Sequence, residues 1–155
     1  MKRIIPIALI GGAVILFSNT LKTKSLNELV KSSPSGITFT SNGEYNGKSV
    51  IMTVHSPSAK KMNFTVKKGT LFYPENEDEQ TLVVPHDKLM AFDLSGKAEI
   101  ELYGFCTESS DKCPSENSQF VMGTTKDEKL LELLEFFKEN KGIDRHTVQE
   151  AIWCV

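Results

Sequence analysis

The sequence predicts a mainly β domain: an immunoglobulin-like antiparallel β-sandwich with a C-terminal helical hairpin packed on it. Three observations predict it. Short runs of alternating apolar and polar residues fill positions 37–124, with turn signals between them. After Thr125 the apolar spacing changes from the period of a strand to that of a helix. No long helical pattern interrupts the strands, which disfavours a parallel βαβ sheet.

The clearest strand signal is Lys61–Lys67. Met62, Phe64 and Val66 point one way, and Lys61, Asn63, Thr65 and Lys67 the other, as a half-buried strand requires. Val50, Met52 and Val54 repeat the pattern. So do Met90, Phe92 and Leu94, and then Ala98, Ile100 and Leu102. Ile37–Thr40, Thr70–Tyr73, Thr81–Pro85 and Gln119–Gly123 are further candidates. Ser56-Pro57-Ser58 and Ser95-Gly96 read as turns between separate strands, and Asn42-Gly43 and Asn46-Gly47 favour positive φ. About seven or eight short strands result, the count of a sandwich. Phe64, Ile100 and Leu102 are expected between its sheets.

Thr125-Lys126-Asp127-Glu128 has the form of a capping box. Leu130, Leu131, Leu133, Leu134, Phe136 and Phe137 follow, so apolar that the helix needs two packing partners. Leu134 and Phe137 are expected to be buried. Asn140-Lys141-Gly142 ends this helix, and Asp144 caps a second one running to the end of the sequence. His146, Gln149 and Trp153 share one stripe of it. The sequence stops on Ile152-Trp153-Cys154-Val155 with no polar tail, as in a domain shortened at its C-terminus.

Four segments follow: a leader over 1–20, a linker or arm over 21–36, the sandwich over 37–124 and the hairpin over 125–155. Met1-Lys2-Arg3 followed by the uncharged run Ile4–Phe17 reads as a secretory signal, with an uncleaved N-terminal anchor as the alternative. Contact with a membrane is expected only through this segment. Within the arm, Asn27–Val30 has the composition of one helical turn. The net charge of −2 gives no basic field for nucleic acid, so none is expected as a partner.

Export permits disulfides, and three cysteines are present: Cys106, Cys113 and Cys154. Cys106 and Cys113 flank a polar loop short enough to fold back on itself, so they are the candidate disulfide. Cys154, among apolar neighbours, is expected to be a buried thiol or to pair with a residue beyond Val155. The acidic loop Pro74–Gln80 holds Glu75, Glu77, Asp78 and Glu79, a hard-cation donor set without the Asp spacing or the Gly of a calcium loop. No G-x-S-x-G, H-E-x-x-H or P-loop is present, and His55, His86 and His146 lack ligand spacing. No cofactor is expected.

Val148-Gln149-Glu150-Ala151-Ile152-Trp153 resembles the T-Q-x-A motif, often continued by Ile-Trp, of the thioester domains of bacterial surface adhesins. Tyr103-Gly104-Phe105-Cys106 resembles the Cys-bearing segment of that family. The resemblance implies an internal thioester between Cys106 and Gln149, open to a nucleophile on a host surface. Val148 stands where the family has Thr. The expected role is an exported, non-enzymatic interaction module of the cell envelope or extracellular space, meeting a protein or surface glycan. The covalent adhesin is the first alternative. A secreted hydrolase or carbohydrate-processing domain using the acidic loop is the second.

Overall fold

The computed structural model describes residues 23–33 and 36–155, with the side chains of 56–62 and 92–95 outside that description. The leader over 1–20 and the inward positions of Met62, Phe92 and Leu94 therefore lie outside the described residues. The elements run in the order β1 (Lys24–Ser25), α1 (Leu26–Ser32), β2 (Ile37–Ser41), β3 (Asn46–Val66), β4 (Thr70–Pro74), β5 (Leu82–Val83), β6 (Lys88–Cys106), β7 (Gln119–Thr124), α2 (Glu128–Glu139) and α3 (Arg145–Ile152).

The chain is mainly β, but the sheet is not a sandwich. Its strand order is β3-β2-β7-β4-β5-β6, and β6 pairs back onto β3, so six antiparallel strands close into a barrel. An immunoglobulin-like sandwich keeps two separate sheets with open edges; here the seam between β3 and β6 removes them. The cause lies in two strands that the sequence splits into four. Ser56-Pro57-Ser58 does not end a strand. It sits where the β3–β6 register shifts between Ser56 and Lys60, one of the irregularities at which a sheet tolerates proline. Ser95-Gly96 likewise lies within β6, with Gly96 facing Ser56 across the ladder. The two long strands pair from Asn46↔Phe105 to Val66↔Lys88. Beyond the shift their distal halves join β1, which pairs parallel to β3 at Phe64 and Thr65.

Inside and outside follow the expected period of two. Leu71, Val83 and Phe105 stand side by side on adjacent strands and face the helices, with Leu130, Leu134, Phe137, Val148 and Ile152 packed over them. Their neighbours Phe72, Leu82 and Cys106 form the next row and face the barrel interior with Phe39, Val50, Met52 and Phe120. Phe64 is fully buried and Leu102 nearly so, as the strand phase predicts, whereas Ile100 is only partly buried.

Residues 21–36, expected as a linker or arm with one helical turn at Asn27–Val30, contain β1 and α1, and α1 includes that turn. Ser25 and Glu28 close a capping box, the Ser25 side chain accepting from Glu28 N–H and the Glu28 carboxylate accepting from Ser25 N–H. The box starts a helix whose Leu26 and Leu29 enter the same core as Phe64. The box predicted at Thr125 does not form. Asp127 is the N-cap of α2 and accepts from Leu130 N–H, while Thr125 Oγ1 accepts from Asp127 N–H. Asp144 caps α3 as predicted, and that helix ends at Ile152.

Candidate functional site

The two residues singled out for a thioester meet, but through the backbone of one of them. Gln149 lies on the second turn of α3 and is fully buried. Its Nε2 donates to the carbonyl oxygen of Cys106 at 2.7 Å, and its Oε1 accepts from Cys106 N–H at 3.1 Å. The same N–H also reaches Tyr45 O at 3.0 Å. The β3–β6 ladder begins at Asn46↔Phe105, so the Gln149 carboxamide prolongs it by one residue, in the pattern of an antiparallel pair. Buried polar groups need such partners, and Gln149 satisfies its own carboxamide while fixing α3 on the barrel.

The Cys106 side chain belongs to the interior row and is fully buried. The Cys113 thiol lies near enough to affect its titration, and both residues are free thiols. Burial pushes the Cys106 thiol strongly up, and the nearby Cys113 and Glu108 add to the shift. Burial also raises Cys113, against the hydrogen bond with Cys106 that lowers it. A thiol held protonated in this way is a weak nucleophile. Cys113 lies nearer the surface and contacts Gly43 O at 3.5 Å. Cys154 is exposed rather than buried, because α3 ends at Ile152, before reaching it.

Gln80 is a residue that the sequence reading missed. Its Nε2 donates to Asp111 O at 2.6 Å, and its Oε1 accepts from Trp153 Nε1 at 3.3 Å. Trp153 stacks on Tyr45, with ring centroids 6.2 Å apart and planes 19° apart. Gln80 thus ties the Cys106–Cys113 loop to the end of α3. No sequence signal marked it, since it only closes the acidic run Pro74–Gln80.

The acidic residues are not gathered into a cation site. Glu75, Glu77 and Asp78 are exposed. Glu79 turns inward, and its Oε1 accepts from Ser115 N–H at 3.2 Å and Ser115 Oγ at 2.8 Å, bracing the segment that follows Cys113. Its Oε2 is buried without a hydrogen bond among the described residues. No group of three His, Cys, Asp or Glu that could hold a metal occurs among the described residues.

Elsewhere a pocket opens beside the β5–β6 connection. Val66, Val84, Pro85 and Leu102 line it, with His86, Asp87, Lys88 and Tyr103. The Lys88 ammonium sits 4.6 Å from the centroid of the Tyr103 ring.

No protein-family model matches the chain, and no curated protein or solved structure is significantly similar to it.

Proposed function

We propose that this chain is an exported, non-enzymatic interaction module whose Cys106–Cys113 loop is closed by a disulfide. The observation that carries this reading is that the two free thiols at the ends of one loop lie near enough to shift each other's titration. The loop is already held from several sides. Gln80 N–H donates to Lys112 O, Lys112 N–H to Asp78 O, and Thr107 N–H to Thr81 O. Oxidation joins the two sulfurs and releases two protons and two electrons to a thiol–disulfide oxidant of the export compartment. A partner face is available on the barrel exterior, where Tyr73 and Val121 are cross-strand neighbours and both are exposed. The Tyr73 ring lies against Gly123, where an added Cβ would stand 2.6 Å from it. A flat aromatic face on a rigid barrel suits a protein or glycan partner.

The Gln149 contact favours a second reading, the covalent adhesin. Cys106 Sγ would attack Gln149 Cδ, a C–S bond would replace the C–N bond, and ammonia would leave with the thiol proton. The disulfide reading ranks above it, because the Cys106 thiol faces Cys113 and the barrel interior while Gln149 holds the Cys106 main chain.

One measurement separates the readings: the intact mass of the protein from its native compartment, unreduced and after alkylation. Loss of two hydrogens, with one cysteine alkylated, is the expected result. Loss of one ammonia would establish the thioester instead, and three alkylated cysteines would overturn both.

A further inference from the structure

We propose that the pocket beside the β5–β6 connection binds an organic anion with a small apolar body, the Lys88 ammonium pairing with its carboxylate. The floor is apolar and rigid. Val66, Val84 and Leu102 are each almost fully buried and belong to the interior core, and Pro85 is buried beside them. The cavity measures about 200 Å³. An apolar cavity of roughly 150 Å³ takes up a benzene-sized molecule, so one ring or a branched aliphatic group fits.

The charges at the mouth select the sign. Asp87 is already engaged: its Oδ1 accepts from Lys68 N–H at 2.8 Å and its Oδ2 from Lys67 Nζ at 2.9 Å. Lys68 is in turn paired with Glu135. Lys88 pairs with no carboxylate among the described residues and rests over the exposed Tyr103 ring. A cation held on an aromatic face beside an apolar cavity can meet a carboxylate without losing its packing. His86 lines the same mouth and offers a neutral ring, burial holding its imidazole below the usual range. A cationic ligand would meet Lys88 as a like charge.

The pocket gives the proposed module a ligand class and rests on that reading, but its test is separate. Mass measurement reads the cysteines, and the titration below reads only the pocket. The full chain, isotope-labelled, is titrated with phenylacetate, phenylacetamide and phenethylamine while amide shifts are followed. Phenylacetate is expected to give saturable shifts confined to Val66, Val84, His86, Asp87, Lys88, Leu102 and Tyr103. Phenylacetamide should bind several-fold more weakly, and phenethylamine should not bind. Lys88→Met, an exposed substitution that leaves the floor intact, should weaken phenylacetate about fivefold and leave phenylacetamide unchanged. Shifts scattered over the surface without saturation would overturn the proposal. So would equal binding of the acid and the amide, or a Lys88→Met variant that binds phenylacetate as well as the parent.

Discussion

Gln149 shows how one side chain can serve as a piece of strand. Its carboxamide supplies a donor to the Cys106 carbonyl and an acceptor to its N–H in a fully buried position. Gln149→Leu keeps the size and removes both. The Cys106 N–H still has Tyr45 O, so one buried carbonyl is left unsatisfied, at a cost of about 1–3 kcal/mol. Urea unfolding followed by Trp153 fluorescence will measure it, since Trp153 is the single tryptophan and adjoins α3. Phe64→Ala has a different cause. It opens a cavity in the core at a fully buried ring, and the expected loss is about 3–5 kcal/mol in the same assay. At this scale much was legible. The strand phase placed Phe64, because alternation needs only local sequence, whereas the bond from Gln149 to the Cys106 main chain was not indicated by the motif. Gln80 was not legible, because its role comes from groups far away in sequence, Asp111 and Trp153.

Elements were legible where one cap had no competitor. Asp144 caps α3 as expected, accepting from His146 and Thr147 N–H at 3.0 Å each. At α2 two caps competed. Thr125 is held by its own N–H, which donates to Gly69 O at 2.8 Å at the end of the β4–β7 ladder, so Asp127 starts the helix. Around α1 the turn expected at Asn27–Val30 extends to Leu26–Ser32, and the polar, Lys-rich composition hid its docking through Leu26 and Leu29. Its capping box gives a direct test: Ser25→Ala should cost about 1 kcal/mol and speed amide exchange in α1 before the barrel. Asp144 gives a pH test. The Thr147 hydroxyl and N–H, with the His146 N–H, hold its carboxyl below the ordinary range. A depressed folded-state pKa contributes stability that is present above the ordinary aspartate range and lost as pH falls through the lower folded value. Asp144→Asn should keep most of the cap and flatten that acid-side decline, read as unfolding midpoints across a pH series.

Closure of the barrel was the feature the sequence concealed. Each half of β3 and β6 carries its own alternation, and nothing local distinguishes two strands joined by a turn from one strand with a shifted register. The information lies in pairing between positions such as Val50 and Leu102. The seam can therefore be tested by crowding it. Gly104 sits where β3, β5 and β6 meet. A Cβ there would stand 2.8 Å from Ser49 Oγ, 3.2 Å from Leu82 Cβ and 3.3 Å from Val50 Cγ2. Ser49 is fully buried and donates to the Gly104 carbonyl at 3.0 Å, so it has no room to retreat without losing that bond. Gly104→Ala should cost about 1–3 kcal/mol by overpacking. Gly96, at the β3–β6 register shift, is the control. It has φ +82° and nothing within 4 Å of an added Cβ, so Gly96→Ala strains only its own backbone, by about 1–2 kcal/mol. The two substitutions are of similar size in energy but should differ in reach. If the seam closes the barrel, Gly104→Ala will speed amide exchange in β2, β4 and β7 as well as in β3 and β6, because every strand shares the same closed ladder. Gly96→Ala should speed exchange only around Ser56 and Gly96. An effect of Gly104→Ala confined to its own strand pair would show that the strands open separately, and that the barrel does not unfold as one unit.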